Sequence, residues 1–270
     1  MKKQIEAATI VFAAGKGSRM SGFSGNKTLL PLIPQDSPFL GERPILVHIL
    51  ENLPPGPKAI VVNHRKEDVI GATRHLDPVY CEQPSTNGTG GALLAASEFI
   101  SAAPSPRVLI TMGDVPFVRP ETFQELLRRL DAFPLVVLAF RPGDKKRYGV
   151  LDVEGPVVRR IVEWEYWGRL KKAEQDRFRF CNSGIYAARK DCLVRFLPAL
   201  AANPHTVYKK RNGRTIEIQE YFITDLVELM SGSGLQTGYV EAAEESEVMG
   251  VDDPGALYAA QEKYRRSSWK

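Results

Sequence analysis

Cysteine is scarce in this sequence. Cys81, Cys181 and Cys192 are the three in 270 residues, with no Cys-x-x-Cys pair and an odd total. That speaks against a disulfide framework and a thiolate metal cage, and points to a reducing compartment. Long apolar runs are missing as well. The first apolar stretch, Ala7 to Ala14, contains Thr9 and gives way at once to Gly15, Lys16 and Arg19. No stretch approaches the ~20 apolar residues of a membrane span. Ala7 to Ala14 reads as a buried strand and not as a targeting segment. A cytoplasmic protein without a membrane partner is expected. Charge of one sign is not in excess: 36 basic against 32 acidic side chains leave a net +4. That is too weak to argue for nucleic acid, though compatible with a small anionic ligand. The four histidines, His48, His64, His75 and His205, show no ligand spacing. There is no internal repeat and no low-complexity linker.

What is present is ordinary globular composition, 43% hydrophobic and 25% charged, enough for a large core. Short apolar runs alternate with helical patterns. Strands are expected at Ala7–Ala14, Ala59–Asn63, Pro78–Cys81, Arg107–Met112 and Leu135–Phe140. Helices are expected at Ile45–Asn52, Lys66–His75 and Gly91–Ala102. Phe123, Leu126, Leu127 and Leu130 fall at i, i+3, i+4 and i+7, the spacing of an amphipathic helix. This β-α-β alternation predicts an α/β fold, a Rossmann-like mainly parallel sheet with helices on both faces. The second half is richer in β signals. Hairpins are expected at Val150–Val153 with Val157–Glu163, and at Val207–Gln219 around Asn212-Gly213, a pair suited to the positive φ of a tight turn. A strand at Arg179–Ala188, a helix after Asp191, a helix at Thr224–Met230, a strand at Leu235–Val240 and a helix after Pro254 complete the chain. One domain with an inserted β-rich lobe follows: residues 1–140 mainly one half, 141–240 the other, 241–270 a closing segment and helix.

The first strand ends in Gly15-Lys16-Gly17-Ser18-Arg19-Met20. Ligands of parallel sheets bind beyond the carboxyl ends of strands. A glycine-rich loop there brings backbone N–H groups close to phosphate oxygens. Arg19 offers a planar fork for such oxygens, and Lys27 a second positive charge. A P-loop needs a different spacing, and Met20 stands where a dinucleotide fingerprint needs its third glycine. A plain surface turn is the remaining alternative.

Together, Ala13-Ala14-Gly15-x-Gly17-x-Arg19-Met20 and the later Lys27 resemble the signature of the sugar-nucleotidyltransferase superfamily, and within it the N-acetylglucosamine-1-phosphate uridylyltransferases. The resemblance implies that this loop wraps a triphosphate, neutralised by Arg19 and Lys27. Asn26 departs from it, standing where the family usually has proline.

Further motifs follow in the same order along almost the whole chain. The run ending in Met112 leads to Gly113-Asp114-Val115-Pro116, and a carboxylate there suits Mg²⁺, a hard cation that takes one or two carboxylates plus phosphates. Asp114 could instead shape a turn. Glu247 through Asp252 is similar to the family's glutamate-x-x-glycine-valine-asparagine, which makes Asp252 the second metal ligand and leaves Asp253 free to cap the last helix. Gln83, Gly88 and Thr89 match the base-reading loop, although residues Pro84 to Asn87 make it longer, and Tyr80 stands where the uridylyltransferases carry a glutamine. Tyr148-Gly149, Ile161-Val162-Glu163, Asn182-Ser183-Gly184 and Glu220 to Asp225 resemble the sugar-pocket motifs. They imply Met112, Gly149, Glu163, Asn182 and Thr224 as sugar contacts, with Phe222 replacing a tyrosine.

The resemblance thus implies a Mg²⁺-dependent nucleotidyltransferase that joins a triphosphate, UTP in the first instance, to a sugar 1-phosphate such as N-acetylglucosamine 1-phosphate. The expected partners are these small molecules. Another phosphorylated acceptor, an alditol phosphate or a molybdopterin-type cofactor, is the alternative, as is a non-catalytic nucleotide-sugar sensor. The family's bifunctional members continue into a β-helix with acetyltransferase activity. The chain ends soon after its last helix, so neither that activity nor the β-helix trimer is expected. The basic cluster Lys209, Lys210, Arg211 and Arg214 reads as a solvated hairpin tip.

Overall fold

The computed structural model describes residues 4–211 and 214–266. The first half gives β1 (Ala8–Phe12), β2 (Pro31–Ser37), β3 (Leu40–Pro44), α1 (Ile45–Asn52), β4 (Lys58–Val62), α2 (Lys66–Thr73), β5 (Val79–Glu82), α3 (Gly88–Ala95), α4 (Ser97–Ala102), β6 (Arg107–Met112), α5 (Pro120–Arg129) and β7 (Leu135–Phe140). The second gives β8 (Val150–Glu154), β9 (Val157–Val162), the short helices α6 (Trp164–Trp167) and α7 (Lys172–Gln175), β10 (Phe180–Arg189), α8 (Lys190–Ala202), β11 (His205–Arg211), β12 (Arg214–Glu220), α9 (Asp225–Gly232), β13 (Thr237–Glu241) and α10 (Pro254–Arg266).

Nine strands form one sheet in the order β5-β4-β1-β6-β10-β7-β13-β9-β8. β5, β4, β1 and β6 are parallel neighbours, and β7 pairs parallel with β13. β10 lies antiparallel between β6 and β7. The apolar runs β1 and β7 are buried at every position, as strands covered on both faces must be. Alternate residues feed two cores. Val11, Ile60, Leu109 and Leu138 pack with Ile45 and Ile49 of α1, Leu126 of α5 and Leu257 of α10. Ile10, Val61, Ile110 and Val137 pack with Leu93 of α3, Ile100 of α4, Leu193 of α8 and Leu226 of α9. The sheet is thus sandwiched between two helical layers, the α/β architecture expected. It is mixed, with parallel pairing among β5, β4, β1 and β6 and between β7 and β13, because β10 and the β8–β9 hairpin pair antiparallel.

Three features differ from the sequence reading. The segment expected as one helix from Gly91 starts at Gly88 and breaks at Ala96 into α3 and α4. The β-rich second half adds β8, β9 and β10 to the main sheet, and β11–β12 forms a ribbon of its own. The Asn212-Gly213 turn lies outside the described residues. A second ribbon, β2–β3, was not foreseen. Its strand Pro31–Ser37 carries two prolines and is largely exposed, so no alternation marked it. Cys81, Cys181 and Cys192 are buried free thiols. Among the described residues no helix is long and apolar enough to cross a membrane.

Candidate active site

The carboxyl ends of β1 and β6 are tied together by the Gly113 N–H, which donates to the Phe12 carbonyl at 2.9 Å. The loop after β1 therefore begins beside the loop that carries Asp114. Gly17 takes φ +59°, and a Cβ there would stand 3.2 Å from the Lys27 side chain. Glycine thus serves both the left-handed turn and the close passage of Lys27. Asn26, fully buried, fixes the stretch just before that lysine. Its Nδ2 donates to the Ala13 and His64 carbonyls, both at 2.9 Å, and its Oδ1 accepts from the Thr28 N–H and hydroxyl. It caps a one-turn 3₁₀ helix, Lys27–Leu29.

Lys27 projects between two carboxylates. Its Nζ donates to Asp252 Oδ1 at 2.5 Å and is ion-paired with Asp114 Oδ2. Arg19 reaches the other Asp252 oxygen, 2.9 Å away. Burial pushes the Lys27 ammonium down, but Asp114 and Asp252 outweigh it and hold its pKa above the ordinary lysine value. Lys27 and Asp114 are largely shielded (side chains 13% and 10% exposed), Asp252 is one-third open and Arg19 is 72% exposed. One cluster thus joins four residues drawn from positions 19 to 252.

The Asp252 segment reaches Asp114 through a chain of fixed contacts. The Val251 N–H donates to the Asp114 carbonyl at 2.8 Å. Glu247, 3% exposed, accepts from the Arg119 N–H at 3.1 Å, the Arg119 guanidinium at 3.1 Å and the Thr122 hydroxyl. Its carboxylate so sits at the start of α5, where a helix favours negative charge. Glu245 accepts from the Gly143 N–H at 2.9 Å. Lys263 of α10 donates to the Ser246 carbonyl and hydroxyl, both at 2.8 Å. Asp253 stands apart from the cluster and accepts from the Ala256 N–H at 2.8 Å, a cap on α10.

A cavity of about 620 Å³ opens beside this cluster. Ala13, Ala14, Gly15, Lys27 and Asp114 line it, with Gln83, Gly88 and Thr89 of the second glycine loop and Met112. Lys16, Ser18, Thr28, Thr86, Glu220 and Phe222 also line it. The sequence reading sets Glu220 and Phe222 in a sugar-pocket motif and Lys16 and Ser18 in the glycine loop without roles of their own, and gives Thr28 and Thr86 no role. Position beside the marked loops was the available cue for Ser18 and Thr28, whereas Thr86 arrives only through the longer loop. Gln83 is fixed by its own loop: its Nε2 donates to Asn87 Oδ1 at 2.8 Å and to the Gly88 carbonyl at 3.1 Å. Gly88 has φ +92°, and a Cβ would fall 2.3 Å from the Tyr221 carbonyl oxygen. Tyr80 does not join this group. Its hydroxyl lies 2.9 Å from Thr73 Oγ1, against α2, and it is not among the residues that line the cavity.

The residues expected at the acceptor end form a second cluster. The Thr224 hydroxyl donates to Glu163 Oε1 at 3.0 Å. A Cβ on Gly149 would come within 3.2 Å of Glu163 Oε2. The Asn182 N–H donates to the Gly149 carbonyl at 2.8 Å, its Nδ2 to the Tyr186 hydroxyl at 2.7 Å, and its Oδ1 accepts from the Gly184 N–H at 3.0 Å. Gly184 lies against Met112. Burial pushes the Glu163 carboxyl above the usual range. The Thr224 hydrogen bond opposes that, while Glu165 and Asp225 reinforce it. The Ile223 N–H donates to Thr89 Oγ1 at 3.2 Å, and the Gly90 N–H to the Tyr221 carbonyl at 2.8 Å. The second glycine loop and the acceptor segment are therefore one unit.

The donor set suits a hard divalent cation. Asp114 and Asp252 already share one positive group, the Lys27 ammonium, and a site of two carboxylates completed by phosphate oxygens is the usual Mg²⁺ arrangement.

Comparison with known proteins identifies the family and the fold. A family model described as the MobA-like NTP transferase domain matches residues 9–210. The bifunctional protein GlmU of Cereibacter sphaeroides is 30% identical over 262 residues, 95% of this chain and 52% of that protein. The chain thus spans about half the length of the curated relatives it matches. A CMP:2-keto-3-deoxy-manno-octonic acid synthetase complexed with CTP superposes with a TM-score of 0.63 at 16% identity, over 97% of this chain and 99% of its own. A Bacillus anthracis protein assigned as a glucose-1-phosphate thymidylyltransferase gives 0.65 at 19% identity, over 97% of each chain. At such identities the two structures speak for the fold alone.

Proposed function

Because the chain belongs to the family of MobA-like NTP transferase domains, a nucleotidyltransferase family, we propose that it joins a nucleoside triphosphate to a sugar 1-phosphate and releases pyrophosphate. UTP and N-acetylglucosamine 1-phosphate are the first substrates to test, on the likeness to the GlmU proteins. The observation that carries the reading is the shared Lys27 ammonium. Two carboxylates and two cations meet at the mouth of β1 and β6, beside a cavity floored by the glycine loop.

The acceptor phosphate is already an anionic nucleophile, so no general base is required. The chain's work is alignment and charge cancellation for in-line attack on the α-phosphorus. Gly15 and Gly17 let the loop backbone approach the triphosphate. Lys27 and Arg19 offset the charge that builds on the phosphoryl oxygens. Gln83, Gly88 and Thr89 hold the base, while Glu163, Thr224, Asn182, Gly149 and Met112 hold the sugar. Asp114 and Asp252 would hold Mg²⁺, which when bound neutralises phosphate oxygens of both substrates. In this reading residues 1–140 serve the nucleotide, 141–240 the sugar, and 241–270 bring the second carboxylate. Buried free thiols agree with work in a reducing, cytoplasmic compartment.

One observation favours a second acceptor class. Phe222, not tyrosine, lines the cavity, with its ring 4.8 Å from that of His205. A phenyl ring offers no hydrogen bond to an acceptor hydroxyl, so the acceptor can differ from that of relatives with tyrosine there, an alditol phosphate or another phosphorylated acceptor being the alternative. The test is pyrophosphate release from a panel of triphosphates, each paired with sugar 1-phosphates, alditol phosphates and molybdopterin. Turnover with UTP and a hexosamine phosphate supports the first reading, and turnover only with another acceptor supports the second. Tight binding without turnover across the panel would make the protein a sensor and remove both.

A further inference from the structure

We propose that Asn26 is a positioning residue for Lys27, holding its ammonium at the place where phosphate charge is cancelled. The inference rests on the reading of Lys27 given above. Asn26 is 1% exposed, yet every hydrogen-bonding position that matters is used. Its amide donates to two carbonyls from different segments, Ala13 at the head of the glycine loop and His64 after β4, both at 2.9 Å. Its carbonyl oxygen accepts from the N–H and the hydroxyl of Thr28, at 3.0 and 2.9 Å. One side chain so locks the start of the glycine loop to the single 3₁₀ turn that carries Lys27.

Lys27 depends on that lock. Its stem passes over Gly17 at near-contact distance, and its Nζ meets carboxylates from two other parts of the chain. A three-residue turn supplies little rigidity of its own, and a small displacement of a charged group can cost a large factor in rate. A buried amide with all partners in place is a means of fixing such a group.

A double-mutant cycle tests this. Asn26→Ala is made alone and on a Lys27→Ala background, and kcat, KM for UTP and Tm are measured with Mg²⁺ and N-acetylglucosamine 1-phosphate. If Asn26 acts through Lys27, Asn26→Ala lowers kcat at least tenfold in the native background and less than twofold without Lys27. KM for UTP moves little, and the fall in Tm is the same in both. Asn26→Asp gives a second cycle if the alanine variant does not fold. It keeps the acceptor for Thr28 and removes the donors to Ala13 and His64, so the same loss of kcat is expected. An equal loss of kcat in both backgrounds would overturn the inference and leave the assignment of Lys27 intact. Normal turnover in Lys27→Ala would remove that assignment and the inference with it.

Discussion

The two ends of the site are built on opposite electrostatic plans. At the phosphate end, charge is met by charge: Lys27 sits between Asp114 and Asp252, and Arg19 holds the outer oxygen of Asp252. At the acceptor end the half-buried Glu163 carboxylate is held by the Thr224 hydroxyl, with Glu165 and Asp225 nearby and no cation in hydrogen-bonding contact among the described residues. The first end stabilises ionised groups, and the pKa of Lys27 is held up by its partners. The second penalises ionisation, and the Glu163 carboxyl is pushed up by burial. In the proposed reaction, such an ionic cluster would offset the large charge changes of nucleotidyl transfer. A carboxylate so destabilised gains when neutral hydroxyls arrive and donate hydrogen bonds to it.

The sharpest way to break this contrast is to remove charge at the first end. Lys27→Ala and Asp114→Ala should each lower kcat by a factor on the order of 10² to 10³, the scale of losing one well-placed electrostatic contact. Circular dichroism should show the fold retained. Near-native turnover in both variants would mean that the ionic cluster is structural only.

At the second end, Glu163→Gln should separate function from stability. The lost charge-assisted hydrogen bonds should raise KM for the sugar phosphate roughly ten- to a hundredfold, corresponding to about 1.5–3 kcal/mol. Stability should move the other way. The folded pKa of Glu163 lies above its unfolded value, so its contribution is fully present below the unfolded pKa and is lost as pH rises through the folded pKa. Glutamine does not titrate. The variant should therefore gain Tm relative to wild type as pH rises across that window, and its KM should lose the acid-side rise of the wild type. A Tm difference that does not change with pH would remove the strain from the account.

The same contrast decides what could be read from the sequence. α1, β6 and β7 have the bounds that their apolar patterns gave, because a helix or a fully buried strand declares itself locally. The glycine loop proposed to hold phosphate stands out for the same reason: Gly15, Gly17 and Arg19 are neighbours. Lys27, Asp114 and Asp252 are brought together by the sheet order and by long-range contacts such as the Val251–Asp114 backbone bond, which no short window contains. The antiparallel course of β10 was hidden too. Tyr186, Ala187 and Ala188 are buried, and a doubly covered strand looks alike in either direction. At the acceptor end Glu163 and Thr224 carried no local mark beyond the family resemblance. Glu247 stands in the motif that supplies Asp252 but carries no mark of its own, since its partners Arg119 and Thr122 lie just before and within α5.

Glu247 offers a smaller test, one that loosens the phosphate end without touching its charges. Glu247→Gln turns an amide toward Arg119 and Thr122, donors that the carboxylate now satisfies. A cost of about 1–3 kcal/mol is expected for disturbing these buried bonds, mostly from the Arg119 N–H and Thr122, because the guanidinium is 45% exposed and screened. Chemical denaturation should show it as a lower midpoint at unchanged slope. If the segment positions Asp252, Mg²⁺ affinity measured with UTP bound should fall as well. Lower stability with unchanged cation affinity would confine Glu247 to anchoring α5.

The smallest effect belongs to Tyr80, and it tests the boundary of the base end. The Tyr80 hydroxyl lies 2.9 Å from Thr73 Oγ1 and 3.4 Å from the Ile70 carbonyl, and Thr73 Oγ1 lies 2.7 Å from the Val69 carbonyl, so the phenol proton is taken up within α2 by Thr73 or Ile70. Either bond ties β5 to α2 and leaves the phenol no free proton for a base. Tyr80→Phe should accordingly cost about 0.5–1.5 kcal/mol, with KM for the triphosphate unchanged. A several-fold rise in that KM at constant stability would return Tyr80 to the base site and require the α2 side of the cavity to open when nucleotide binds.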